Sequence, residues 1–219
     1  ALKIIFIITA VAAVALLVFI VAMLPHFDSQ NLLNIPVKTD AVGASAFLPF
    51  GYLGIWAAVP YAIWFFLAVE GVPLAAEEAK EPHKSLPRGL IGSMLILAVF
   101  ALAILFLGAG AAGADTLKES GAPLVDALKV VYGENTWLAG FVNFVGLAGL
   151  IASFFSIIYA YSRQIFALSR AGYLPKKLSL TNKNHAPHLA IIIPGVIGFM
   201  LSLSGEGDLL ILMAVFGAT

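Results

Sequence analysis

One carboxylate of the chain lies next to a long stretch in which a lipid bilayer would make charge costly. Residues 41–69 form 29 consecutive uncharged positions, and Glu70 follows them directly. Gly71 and Pro73 come next, and Pro60 lies ten residues before Glu70. Glycine and proline interrupt helices and release backbone groups from helical hydrogen bonds. An acid in an apolar span beside such helix breaks is typical of a substrate or ion site in a membrane.

Aromatic side chains accompany this acid. Trp64, Phe65 and Phe66 precede Glu70 by four to six residues, which is one to two helical turns. Ring faces beside a carboxylate attract a small organic cation. Two alternatives stay open: the aromatic residues could face lipid, and Glu70 could pair with a basic residue elsewhere. On the general behaviour of acids within membranes we favour a role for Glu70 in binding or coupling.

The composition indicates a membrane protein and excludes several functional classes. The chain is 61% hydrophobic and 11% charged, and its mean hydropathy is +1.01. Its formal net charge is zero, so we expect no nucleic-acid partner. The absence of cysteine excludes disulfides and thiolate metal sites. No phosphate-binding glycine loop or nucleophile motif is present, so we predict no enzyme and no cofactor.

The four histidines do not form a metal site by spacing. All four are in predicted loops, and only His185 and His188 are near each other, three residues apart. No cysteine, carboxylate cluster or further histidine joins that pair. We therefore expect solvated loop side chains and no bound metal.

Uncharged runs predict an all-α, polytopic helical bundle with one transmembrane domain over residues 1–219. About 20 residues cross a hydrocarbon core. The first run is too long for a signal-peptide core, and the chain begins without Met two residues before a span. We interpret it as an interior piece of a larger protein. The predicted spans are 3–24, 50–76, 89–112, 136–163, 188–205 and 208–219, the last cut off by the chain end.

Cations in the connections between spans predict the orientation. If successive spans alternate in direction, nine of the twelve Lys and Arg residues fall on one side and three on the other. The richer side is expected to be cytoplasmic. The second span then runs inward, and Glu70 lies seven residues before Glu77 in the inner loop, about 10 Å along a helix.

The fourth span carries a stripe of small or mildly polar residues at helical spacing. Its members are Asn143, Gly146, Gly149, Ser153, Ser156 and Ala160. Such stripes allow helices to approach closely, and hydroxyl groups can bond across the interface. Helix packing explains most of the stripe, while Ser153 and Ser156 are also candidates to face a substrate cavity.

The connection between the third and fourth spans predicts a short amphipathic helix that begins at Pro123. Leu124 and Leu128 would share its apolar side, and Asp126 and Lys129 its polar side. We expect it at the outer membrane surface, either as a passive interfacial helix or as part of an outer gate.

Three ordered motifs resemble the amino acid–polyamine–organocation transporter superfamily. They are AEEAKEPHKSLPR at residues 76–88, YSRQIFALSRAGYLP at 161–175 and HAPHLA at 185–190. Within the superfamily, residues 55–79 and 152–175 look most like the ethanolamine permeases. The resemblance covers essentially the whole chain. It implies a LeuT-like fold of two inverted five-helix repeats, of which this chain would hold helices five to ten of twelve.

The resemblance also implies roles for residues on the second span. That span would be the family's sixth helix, unwound around the substrate at Glu70, Gly71 and Pro73. Leu67, Ala68 and Val69 would present backbone carbonyls to the substrate ammonium. Trp64 would be an aromatic gate, and Glu70 would be the acid tied to proton sensing.

One departure from the family pattern concerns coupling. Some relatives carry a lysine in mid-span of the fifth helix that stands in for a sodium ion, whereas residues 4–24 contain none. The sequence therefore does not distinguish H+ from Na+ as the coupling ion.

On these grounds we expect a multi-pass protein of the cell membrane that imports a small cationic amine, with ethanolamine first, by alternating access. Its partners would be the bilayer and the remaining helices of the same transporter. An amino acid permease is the alternative within the superfamily. A channel, or a transporter-derived sensor or structural subunit, is the alternative from another class.

Overall fold

Helices and short 3-10 turns form all the regular structure of the described residues. The computed structural model describes residues 2–67, 69, 81–182 and 186–218, without the side chains of 2–5 and 218. The helices are α1 (Leu2–Met23), α2 (Gly51–Trp64), α3 (Pro82–Ala112), α4 (Ala114–Leu117), α5 (Pro123–Tyr132), α6 (Trp137–Arg170), α7 (His188–Ser202) and α8 (Gly207–Ala218). The 3-10 turns are Leu24–His26, Ser29–Leu33 and Lys176–Ser179.

Among the described residues, three helical segments are long and apolar enough to cross a bilayer. They are Phe6–His26, which takes in most of α1, then α3 with 31 residues and α6 with 34. The helices α7 and α8 are apolar but shorter. Many large apolar side chains of all these helices are exposed in the chain by itself. Such surfaces can face lipid or pack on further transmembrane helices, because lipid tails and protein interiors are similarly apolar.

Helix α3 is longer than the predicted third span. It ends at Ala112, as the span 89–112 does, but it begins at Pro82, seven residues before that span. Proline is favoured at the first helical position, where its missing N–H leaves no hydrogen bond unmade. The first turn is held by bonds from Lys84 N and Ser85 N to Glu81 O, at 3.1 and 2.9 Å. His83 is consequently a helical residue, and its prediction as a loop residue was wrong.

The chain divides into two compact units, to both of which α2, α3 and α6 contribute. Unit 1 is Ala1–Val59 with Leu95–Ala152. Its core is where α1, the end of α3, α5 and the start of α6 meet, and Phe19, Met23 and Leu128 are its largest fully buried side chains. Gly108 of α3 faces this core, and a Cβ built there would lie in ordinary van der Waals contact with Phe19, 3.5 Å from its Cζ.

Helix α5 confirms the predicted helix at Pro123. Proline is at its start, and Ala127 and Leu128 are fully buried. Leu124 also packs on the core, as expected for the apolar side of the predicted helix. The phenol of Tyr132 donates a hydrogen bond of 2.7 Å to Ala22 O, which ties the end of α5 to α1.

Unit 2 is Pro60–Met94 with Ser153–Thr219. Helix α7 packs against the 3-10 turn Lys176–Ser179 and against α8. Ala190 on α7 is fully buried, and Val215 on α8 is nearly so. The loop after α6 therefore packs on α7 within this unit.

Candidate functional site

The regular helix of the second predicted span ends inside the uncharged stretch. Helix α2 runs from Gly51 to Trp64, with Pro60 in its interior. Proline has no N–H and clashes with the preceding turn, so it weakens helical bonding at that position. The last four carbonyls of an α-helix have no intrahelical donor. The end of α2 therefore places backbone acceptors among apolar residues.

The residues after Trp64 form a tighter set of bonds. Phe66 N donates to Ile63 O at 2.9 Å, Leu67 N to Trp64 O at 3.2 Å, and Val69 N to Phe66 O at 3.4 Å. Each bond joins residues three apart, where an α-helix joins residues four apart. α-Helical bonding thus ends at Trp64, six residues before Glu70.

Part of the predicted site can be placed in this segment and part cannot. Trp64 is the last helical residue and is exposed, while Leu67 and Val69 are half-buried in the following turns. Ala68 and Glu70 lie outside the described residues. The roles assigned to all five remain predictions.

The predicted helix break at Gly71 and Pro73 also lies outside the described residues. What the structure adds is that the departure from α-helical bonding has already begun before those two positions. The end of a helix carries a partial negative charge from its aligned carbonyl dipoles. The carbonyl end of α2 therefore favours positive charge near it.

On α6 the stripe of small residues is helical throughout, because α6 covers it from end to end. Gly149 lies close to α1, since a Cβ built there would be 3.8 Å from Ala12 Cβ. This member of the stripe therefore faces α1, at a distance that an alanine would also fit. Ser153 and Ser156 are exposed, and their assignment to a substrate cavity stays a prediction.

A contact between α6 and α7 was not predicted from the sequence. Tyr161 on α6 donates its phenol hydrogen to Ile191 O at 3.0 Å. Pro194 lies in α7, three residues after that carbonyl, and disturbs the helical bonding of the preceding turn. A Cβ at Gly195 would come within 3.4 Å of the phenol oxygen. A tyrosine in one apolar helix and a Pro-Gly pair in another were the available signals, but their pairing requires the tertiary structure.

His188 is not the solvated loop residue that its position suggested. It is the first residue of α7 and is half-buried, with Nδ1 shielded from solvent. His185 lies outside the described residues. Within the described ranges, no group of three or more His, Asp or Glu side chains is arranged to hold a metal ion.

The described ion pairs are all at exposed positions. Lys84 pairs with Glu81 at 3.1 Å, and Lys129 pairs with Glu134 at 3.5 Å. Lys118 donates a hydrogen bond of 2.8 Å to Asp115, and this bond, with the attraction of the carboxylate, raises the pKa of Lys118 above its ordinary value. Exposed pairs of this kind contribute little to stability.

Comparison with known proteins gives a consistent assignment. The whole chain, residues 1–219, matches the model of a family described as amino acid permease. An uncharacterised transporter of Rhizobium meliloti is 28% identical over 95% of this chain and 43% of its own length. The branched-chain amino acid permease of Bacillus subtilis is 28% identical over 71% of this chain and 33% of its own length. That of Lactococcus lactis is 30% identical over 75% of this chain and 37% of its own length.

The chain spans less than half the length of these relatives. The family is one of transporters rather than enzymes. With the three helical segments long enough to cross a bilayer, the match identifies a multi-pass membrane protein.

Proposed function

The chain belongs to the amino acid permease family, and on that premise we propose that the full-length protein is a secondary active transporter of amino acids. It would work by alternating access, exposing one site in turn to each side of the membrane. The two relatives named as branched-chain amino acid permeases make aliphatic amino acids the first substrates to test. The amino acid alternative is therefore favoured over the ethanolamine function expected from the sequence.

The observation that carries the proposal is the end of α2 within an uncharged stretch of 29 residues. A soluble helix can end in water, but a chain within hydrocarbon must satisfy its backbone groups with protein, cavity water or ligand. An interrupted helix at this depth is the arrangement by which transporters offer carbonyl groups to a substrate. Every amino acid brings an ammonium group that such carbonyls can bind.

The proposed fold supplies the rest of the site. In the LeuT-like arrangement of two inverted five-helix repeats, α2 belongs to the sixth helix and opens the second repeat. The three ordered motifs of the sequence support this register. The first helix, which belongs to the part of the transporter outside this chain, would complete the site and bind the substrate carboxylate.

The residues of the second span receive specific roles in this proposal. The carbonyls of Leu67, Ala68 and Val69 bind the ammonium group, and Trp64 closes over it as an aromatic gate. Glu70 balances the positive charge and takes part in coupling to H+ or Na+. The exposed position of Trp64 at the helix end supports its assignment, since a gate must be able to reach the cavity.

Ser153 and Ser156 are proposed to line the same cavity from α6. Their hydroxyl groups would give hydrogen bonds to the polar end of the substrate. Both lie in the apolar middle of α6 and have exposed side chains in this chain.

Ethanolamine remains a second candidate substrate because of the charges in the predicted spans. The cations in the complete predicted spans, Lys3 and Arg163, lie at span ends, so no cation in mid-span could hold a substrate carboxylate. If the missing first helix also lacks a carboxylate-binding group, a compact ammonium ligand would be preferred over an amino acid.

Uptake into proteoliposomes by the full-length protein tests the proposal. Radiolabelled leucine or valine is offered under an imposed H+ or Na+ gradient, and ethanolamine, alanine and serine compete. We expect saturable leucine uptake that aliphatic amino acids block and ethanolamine does not. Stronger inhibition by ethanolamine than by amino acids would reverse the substrate assignment, and non-saturable flux would indicate a channel.

Variants at two acids test the role of Glu70 in the same assay. Glu70→Gln should lower uptake strongly while the protein still inserts, because removing a charge partner from a dehydrated site costs about 2–5 kcal/mol. The matched control is Glu206→Gln, the same chemical change at an exposed residue between α7 and α8. Equal uptake by both variants across a range of pH would exclude Glu70 from the mechanism.

A further inference from the structure

The chain turns sharply at the end of α6, and hydrogen bonds hold this turn in place. Gly172 has φ +88°, which favours glycine, and its N–H donates to Ser169 O at 3.2 Å. Tyr173 N donates to Leu168 O at 3.0 Å, which completes a glycine-based helix cap. The buried Ser169 hydroxyl donates to Pro175 O at 2.7 Å and closes the turn. The side chains that follow are thus presented from a fixed backbone.

The charge of this region is of one sign. Between Glu134 and Glu206 there are 71 residues and no acid. The same segment contains five cations, namely Arg163, Arg170, Lys176, Lys177 and Lys183. The three ion pairs among the described residues use Lys84, Lys118 and Lys129, and not Arg170, Lys176 or Lys177. The turn after α6 therefore carries positive charge that the acids of its own segment do not balance.

The length of α6 places this charge at a membrane surface. From Trp137 to Arg163 there are 26 residues without charge, about 39 Å of helix, which exceeds the ~30 Å of a hydrocarbon core. Arg170 lies about 10 Å further along, at the depth of the headgroups. The guanidinium of Arg163 lies 4.3 Å from the ring centre of Tyr159, and that of Arg170 lies 5.7 Å from the ring centre of Phe166.

After the turn, exposed apolar side chains lie on either side of exposed lysines. Tyr173 is 81% exposed and Leu180 is 54% exposed, although both are residues that usually seek burial. Lys176 and Lys177 lie between them in a 3-10 turn and are exposed as well. This arrangement suits a membrane interface, where phosphates lie above acyl chains. The apolar groups can contact the acyl chains, and the ammonium groups can contact the phosphates.

We propose that this turn, formed by Arg170, Tyr173, Lys176, Lys177 and Leu180, is a docking surface for the headgroups of acidic phospholipids. The cations bind the lipid phosphate, and Tyr173 and Leu180 insert beside the first acyl carbons. The cap at Gly172 and the bond from Ser169 to Pro175 keep these groups in place before the lipid binds. The surface is distinct from the proposed substrate site and does not depend on which substrate is carried.

Lipid binding by the solubilised full-length protein tests this surface directly. The titration uses fluorescent phosphatidylglycerol and, separately, fluorescent phosphatidylcholine. The variant Lys176→Gln/Lys177→Gln removes two cations from the turn. Its matched control, Lys118→Gln/Lys129→Gln, removes two cations that are ion-paired elsewhere in the chain.

We expect the unaltered protein to prefer phosphatidylglycerol, and the turn variant to bind it about 25-fold more weakly, or about fivefold per cation removed. Binding of phosphatidylcholine, and binding by the control variant, should change less than twofold. Equal losses in the two double variants, or no preference between the lipids, would overturn the proposal. Displacement of the lipid by millimolar inorganic phosphate would also overturn it, since the site would then bind free phosphate. Because no transport is measured, the result is independent of the proposed substrate.

Discussion

Substitution of Gly110 by alanine should destabilise the protein, whereas the same substitution elsewhere in α3 should not. A Cβ at Gly110 would lie 2.4 Å from Cδ2 and Cε2 of Phe27. Carbon atoms in contact normally lie about 3.5–4.0 Å apart, so one of the two groups must move by about 1 Å or more. Phe27 cannot withdraw freely, because its segment is bonded to the same glycine. Asp28 N and Asn31 Nδ2 donate to Gly110 O at 3.0 and 2.9 Å.

The magnitude follows from three contributions. Overpacking costs about 1–3 kcal/mol, and each hydrogen bond lost from Gly110 O costs about 1 kcal/mol. Alanine in place of a helical glycine returns about 1 kcal/mol. With one of the two bonds lost, the net result for Gly110→Ala is a free energy of unfolding lower by about 1–3 kcal/mol. Gly92→Ala, also in α3, has nothing within 4 Å of the new Cβ, so it should raise stability by about 0.5–1 kcal/mol.

The assay is thermal unfolding of the purified full-length protein in detergent, followed by loss of the monodisperse species on gel filtration. One kcal/mol corresponds to a shift of about 2–4 °C in the midpoint for 150–250 residues, and to a smaller shift for the longer full-length protein. Gly110→Ala should therefore unfold measurably below both the parent protein and Gly92→Ala. If Gly110→Ala is as stable as Gly92→Ala, the loop at Phe27 does not pack on the end of α3 as described.

Three further predictions concern α7, the orientation and the gate. Tyr161→Phe should lower the free energy of unfolding by about 0.5–1.5 kcal/mol through the loss of its bond to Ile191 O. Its control is Tyr173→Phe, at an exposed ring. Equal thermal midpoints for the two variants would contradict the contact. Single cysteines at Lys84 and Lys177 should react with an impermeant thiol reagent only from the cytoplasm, and one at Lys118 only from outside. Labelling of the Lys118 site from inside would show that the predicted orientation is wrong. Trp64→Ala should raise the KM for uptake more than Trp64→Phe does, since phenylalanine keeps a ring face for the ammonium group. Identical KM values for the two variants would contradict the role of Trp64 as an aromatic gate.

Much of the fold class and several helix limits follow from local sequence. Uncharged runs predict an all-helical membrane protein because a bilayer leaves a spanning chain few other ways to bond its backbone. Pro123 marks the start of α5, and the polar residues beyond Ala112 mark the end of α3. These limits depend on the residue types at the positions themselves. The match of the whole chain to the amino acid permease family agrees with the motifs found in the same way.

Other features depend on residues far apart in the chain. The apolar run of residues 41–69 is continuous, yet α-helical bonding ends at Trp64, because apolar character records a preference for lipid and not the path of the backbone. Asn31 Nδ2 bonds to Gly110 O, and Asp115 N bonds to Asn34 Oδ1, across separations of 79 and 81 residues. Composition and uncharged runs therefore indicated that the chain is helical and belongs in a membrane. Only the tertiary structure decided where a glycine must remain small and which carbonyl a tyrosine reaches, because these depend on neighbours brought together by folding.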